Sequence, residues 1–158
     1  ADIPELLKRN IHVLLGADGA PCNNRLSIFH EMTLAATLHK VKYGPEVMPA
    51  WQVLGLATRE AAKALRLETE IGTLEVGKKA DIVLMQKKSL SMYPGGDPAS
   101  QIVYGAHPSD VTHVFVDGKC IVKEGVLVEF HHQNILDYAV ESWDRTKNVM
   151  TEILGKEV

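Results

Sequence analysis

The chain has 158 residues, 46% of them hydrophobic, enough for one ordinary domain or two small lobes around a real core. Its 17 Lys and Arg against 20 Asp and Glu leave a formal charge of −3 with the basic residues scattered, which excludes the basic stripe of a nucleic-acid or anionic-membrane binder. No apolar run reaches a membrane span, Ala1-Asp2-Ile3-Pro4-Glu5 lacks the pattern of a signal peptide, and Cys22 and Cys120 form neither a disulfide framework nor a metal spacing, so the expected setting is a reducing cytoplasm.

In chain order, Ile3 to Arg9, with Leu6 and Leu7 beside charged residues, reads as the end of a helix that leads through Asn10 into an apolar strand, Ile11 to Ala17. Helix, short turn and apolar strand is the αβ half of a parallel barrel or open sheet. The loop Asp18 to Asn24 holds Gly19, Pro21 and two adjacent Asn residues, all turn formers. From Arg25 to Lys42, Leu26, Phe29, Met32 and Ala36 recur at three- and four-residue steps, an amphipathic helix that Tyr43-Gly44-Pro45 ends. A second helix is expected from Pro49 through Leu56, and Thr58 is placed to cap a third over Arg59 to Leu67. The character changes near residue 70, giving an expected boundary between a part covering 1–70 and a β-rich part covering 71–158.

In the second part, Ala80 to Met85 reads as a strand buried on both faces, Ser89 to Ser100 as loop, and Gln101 to Tyr104 as a short helix. Asp117-Gly118 between Val111 to Val116 and Lys119 to Val122 predicts a hairpin, because Gly tolerates positive φ there. A further strand is expected after Gly125. From His131 onward Leu136, Val140, Trp143, Met150 and Leu154 share one face of a long closing helix, with Lys147 in the gap.

The strand Ile11 to Ala17 ends on a carboxylate, Asp18. An acid at the end of a buried strand is expensive unless a metal, a cation or a substrate proton compensates it. Catalytic groups of parallel barrels gather at such carboxyl ends, where a carboxylate can bind a divalent metal and accept a proton from its water. The alternative is an acid that caps the loop through backbone amides. The seven histidines do not supply an evident ligand set: His30 and His39 point to different sides of one helix, His131-His132 diverge, and His107 and His113 straddle a loop and a strand start. On the loop, Cys22 lacks a neighbouring base that would make it a nucleophile, and Asn23 and Asn24 either bond a ligand or close the loop. Gly16-Ala17-Asp18-Gly19 has neither the glycine spacing nor the Lys of a phosphate cradle.

Taken together, Leu15 through Asn24, Phe29-His30-Glu31-Met32, Ala57 through Ala62, Ile71 through Val83 and the Val114 to Lys119 hairpin resemble the C-terminal part of the metal-dependent amidohydrolases, in the cytosine deaminase, chlorohydrolase and methylthioadenosine or S-adenosylhomocysteine deaminase branch. The resemblance implies an α/β fold: the last strand and helices of a β/α barrel, then part of a β-sandwich and a C-terminal helix. It implies that Asp18 is both the metal ligand and the catalytic carboxylate, and that Cys22, Asn23 and Asn24 lie on the substrate loop. The activity implied is deamination or dechlorination of a nitrogen heterocycle by metal-activated water, with zinc or iron as cofactor. The family's histidine ligands would precede residue 1. The expectation is therefore a fragment that is inert and binds no metal by itself, touches neither nucleic acid nor membrane, and associates with itself or with a complementary chain. Competing expectations are a non-catalytic α+β association module, or a subunit that completes a site on another chain.

Overall fold

The computed structural model describes residues 1–129 and 132–155. Helix α1 (Ile3–Lys8) begins where the Asp2 side chain accepts the Glu5 N–H at 3.3 Å. Pro4 fits its first turn, where no intrahelical N–H is needed. Four further helices follow: α2 (Ile28–Leu38), α3 (Lys40–Tyr43), α4 (Ala50–Leu56) and α5 (Arg59–Ala64). The single amphipathic helix expected from Arg25 to Lys42 is thus two, jointed at His39.

Periodicity explains what these helices bury. Met32, Ala35 and Ala36 of α2 meet Met48 and the Val53 and Leu56 side chains of α4 in one cluster. Small residues on α2 let the helices approach closely, and the Met side chains fill the irregular space left between them. Ala99 and Val103, both buried, close the same cluster from α6 (Pro98–Ser100) and the π-helical turn Gln101–Gly105 that continues it. The Thr33 hydroxyl ties α2 to that turn by donating to the Val103 carbonyl at 2.7 Å. Residues after 71 therefore share a core with residues before it.

The β-rich portion is a four-stranded antiparallel sheet in the order β1 (Ile82–Met85), β2 (Val111–Val116), β3 (Lys119–Lys123), β4 (Val126–Leu127). A 3-10 turn, Pro108–Asp110, leads into β2. The Asp117-Gly118 turn forms as expected, with φ of 49° and 80°, and Glu124-Gly125 repeats the device with 51° and 77°. Asp81 braces the first of these turns by accepting the Asp117 N–H at 2.7 Å.

Several expectations are corrected. Ile11 to Ala17 lies in no strand ladder among the described residues, because a strand needs at least one neighbouring strand to pair with and no other described segment pairs with it in a ladder. Thr58 does not cap α5: its hydroxyl donates back to the Leu54 carbonyl at 2.8 Å, and α5 stops at Ala64 before Arg66 turns to φ 60°. β1 is not covered on both faces, since Val83 and Leu84 are 54% and 46% exposed on an edge strand. The long closing helix, α7 (His132–Leu154), forms, yet Leu136, Val140 and Trp143 of its apolar face are more than half exposed. His131 lies outside the described residues.

Candidate functional site

The stretch 11–17 approaches the core on one side only. Val13 and Leu15 pack against the buried cluster, and the Leu15 N–H donates to the Leu56 carbonyl at 3.2 Å. His12, Leu14 and Gly16, which alternate with them, are exposed. That alternation is the two-residue period of extended chain. Asp18 ends the stretch and is exposed, so its carboxylate stands at the C-terminal end of an extended segment whose other face is open. Its backbone turns there, with φ of 58°, and its Oδ1 accepts the Gly19 N–H at 2.7 Å.

The loop behind Asp18 is a compact turn. The Cys22 and Asn23 N–H groups both donate to the Gly19 carbonyl, at 2.9 and 3.0 Å. Cys22 is exposed with its thiol free, and Asn24 is exposed. Asn23 differs from both. Its Oδ1 accepts the Arg25 N–H at 3.0 Å, and its Nδ2 donates to Glu31 Oε1 at 2.7 Å. Sequence reasoning singled out Asn23 and gave Glu31, in the first turn of α2, no role of its own.

The histidines do not converge on Asp18. Among the described residues, no three His, Cys, Asp or Glu side chains come together as a metal-holding group. His30 and His107 line a shallow cleft of about 640 Å³ beside Arg25, Ser27 and Thr33. His107 is occupied by the 3-10 turn, where its Nδ1 pairs with the Ser109 hydroxyl at 3.0 Å and its N–H donates to Asp110 Oδ2 at 2.8 Å. His113 lies on β2 stacked against Phe115. One carboxylate is therefore the metal-ligating chemistry that this arrangement offers at the loop.

The amidohydrolase family model matches residues 1–121, well over half of the chain. The chain belongs to the amidohydrolase family. Among relatives of this amidohydrolase chain, a 5-methylthioadenosine/S-adenosylhomocysteine deaminase of Syntrophomonas wolfei is 40% identical over 143 residues, covering 90% of this chain and 33% of that protein. A 5'-deoxyadenosine deaminase of Methanopyrus kandleri is 41% identical over 140 residues, 88% of this chain and 32% of that one. Among solved structures, a zinc-bound adenosine deaminase from Xanthomonas campestris superposes with a TM-score of 0.90 at 30% identity, over 94% of this chain and 34% of its own. A zinc complex of atrazine chlorohydrolase from Arthrobacter aurescens reaches 0.80 at 25% identity, over 89% and 32%. The chain thus spans about a third of the length of the relatives it matches, and the mixed helices and strands of an α/β amidohydrolase are the fold it carries.

Proposed function

We propose that this chain is the C-terminal portion of a metal-dependent hydrolase that releases ammonia from an adenosine-type nucleoside altered at its 5' position. One observation carries the reading: in a chain matched to the family over residues 1–121, an exposed carboxylate, Asp18, ends an extended segment that packs on one face and is open on the other. The substrate class follows the relatives near 40% identity, which are named for adenosine derivatives, whereas the chlorohydrolase structure stands at 25%.

A divalent ion, when bound, supplies water acidified enough to attack at neutral pH. The residues present are one donor for such an ion and do not make a site, since zinc wants three or four ligands and no group of three assembles among the described residues. Asp18 is the carboxylate this chain contributes, as ligand and as proton acceptor. The remaining donors belong to a complementary segment, which also covers the open face of 11–17. By itself the chain is inert and holds no zinc tightly. Residues 1–70, with the turn at 98–105 that completes their core, are the end of the barrel, the sheet of β1 to β4 is part of the β-sandwich, and the free thiols suit a reducing cytoplasm.

The test is an ammonia-release assay on the longer protein that carries this segment, offered 5'-methylthioadenosine, S-adenosylhomocysteine, 5'-deoxyadenosine and a chlorotriazine. Release from the nucleosides is expected, with Asp18→Asn lowering kcat by a factor on the order of 10³ or more, since it removes the charged form of a group that meets the reacting centre. Chloride release alone overturns the deaminase reading in favour of the dechlorinating branch, and no release from any of the four refutes both.

A further inference from the structure

The Asp18 carboxylate is not held by the stretch that presents it. The open face of 11–17 gives it no side-chain partner among the described residues; what it meets is the Gly19 N–H, at 2.7 Å. Gly19 is in turn gripped from behind, because its carbonyl accepts the N–H groups of Cys22 and Asn23 at 2.9 and 3.0 Å. The Asn23 side chain then leaves the loop altogether and donates to Glu31 at 2.7 Å, while its other atom accepts the Arg25 N–H. Glu31 sits in the first turn of α2, directly before Met32, which is 3% exposed in the core.

These bonds form a continuous line from the carboxylate through Gly19 and Asn23 to Glu31 and a helix that cannot shift without disturbing the core. We infer that Asn23 and Glu31 are positioning residues, a clasp that fixes the Asp18 carboxylate relative to α2. Asn23 and Glu31 are not ligands of the substrate. Asn23 suits this role because an amide carries a donor and an acceptor on one short side chain, and here both are used. Glu31 accepts with a charged oxygen, which strengthens the bond relative to a neutral pair. The inference rests on the proposed function only for the consequence: a carboxylate displaced by about 1 Å from productive geometry costs about 10²-fold in rate.

The experiment reverses the polarity of the clasp. Asn23→Asp keeps the acceptor for the Arg25 N–H but sets a carboxylate against the Glu31 carboxylate, so the clasp opens. Adding Glu31→Gln restores one donor and one acceptor in the opposite sense. The new charge near Asp18 persists in the double variant, so a loss due to charge alone would persist as well.

Two readouts are taken on the longer protein. Amide hydrogen exchange at Gly19 should quicken about tenfold or more in Asn23→Asp and return in the double variant, with α2 amides unchanged. In parallel kcat per bound zinc should fall about 10²-fold at unchanged KM in Asn23→Asp and recover in the double variant. Unchanged exchange at Gly19, or a double variant no better than Asn23→Asp, overturns the clasp. Altered exchange with kcat unmoved overturns the positioning role. Absence of deaminase activity in the unsubstituted protein refutes the proposed function, and the exchange measurements still decide the clasp.

Discussion

At the scale of single residues, the chain places ionisable groups for structure as well as for chemistry. Asp2 ties the amino end of α1 to α3: Lys42 donates to its Oδ2 at 2.8 Å, and the Tyr43 hydroxyl donates to the same atom. The Lys42 ammonium first, and then the Tyr43 hydroxyl, hold the Asp2 carboxyl down at about 2, from an ordinary 3.8. A carboxyl lowered in the folded state stabilises it above the unfolded value and loses that contribution as pH falls. Stability should therefore decline from 3.8 down to about 2 on account of this group, and Asp2→Asn should flatten that part of the curve in an acid titration followed by circular dichroism. An unaltered acid limb would mean that the bond does not persist in solution. Asp110 is a contrasting case. It is 4% exposed, and its Oδ2 accepts the Ser91 hydroxyl at 2.7 Å and the His107 N–H at 2.8 Å, the satisfied state that a buried carboxylate requires. The His107 N–H lies three residues earlier in the same turn, but Ser91 belongs to a loop that folds back on Asp110, and that contact is not written in the sequence around it. Asp18 was legible because it interrupts an apolar run; Glu31 was not, because its partner is a loop side chain and helix patterning is silent about loops.

At the scale of elements, local signals sufficed wherever the backbone itself sets the conformation. The hairpin at Asp117-Gly118 follows from a dipeptide that tolerates positive φ, and Pro4 and Asp2 start α1 by satisfying or avoiding the amides of its first turn. Two glycines separate strain from crowding. Gly118 has φ 80° and open space where a side chain would project, so Gly118→Ala should cost about 1–2 kcal/mol from the left-handed backbone alone. Gly72 has φ 94°, and a Cβ there would meet the Ala62 side chain at 2.5 Å and the Arg59 backbone at 3.2 Å. Gly72→Ala should add about 1–3 kcal/mol of overpacking to the same strain, so its thermal midpoint should fall further than that of Gly118→Ala. Equal shifts for the two variants would show that the contact between α5 and the 71–73 turn is not maintained. Elements whose form depends on a neighbour were misread: the apolar pattern of Ile11 to Ala17 specifies extended chain but cannot by itself provide a ladder, and the apolar run of β1 does not cover an edge.

At the scale of the whole molecule, the accessible surface is the telling quantity. The chain exposes 11354 Å², against roughly 7,900 Å² for a compact monomer of 17.4 kDa on the usual scaling of surface with mass. Part of the excess is the apolar face of α7, where Leu136 is 58% and Val140 60% exposed; part is the open side of 11–17, where Leu14 is 44% exposed. Apolar surface on this scale favours association. In sedimentation velocity the chain at micromolar concentration should form self-associated species, and adding a complementary barrel segment should replace these with one heterocomplex. A compact monomer indifferent to that segment would contradict the reading of these faces as interfaces. No helix among the described residues is long and apolar enough to cross a membrane, so α7 is not explained that way.

The sequence by itself determined helices α1, α2 and α4, the presence of α5, the hairpin turn at Asp117-Gly118, the long helix α7 and the carboxylate at the end of an apolar stretch. Each is written in residues within a few positions of one another, where periodicity, caps and positive φ act. Only the tertiary structure decided that Ala99 and Val103 complete the core of the helical part, that the stretch before Asp18 packs on one face and opens on the other, and that Asn23 reaches Glu31. Those facts depend on distant segments meeting, and a contact between surfaces leaves no period in the chain that makes it.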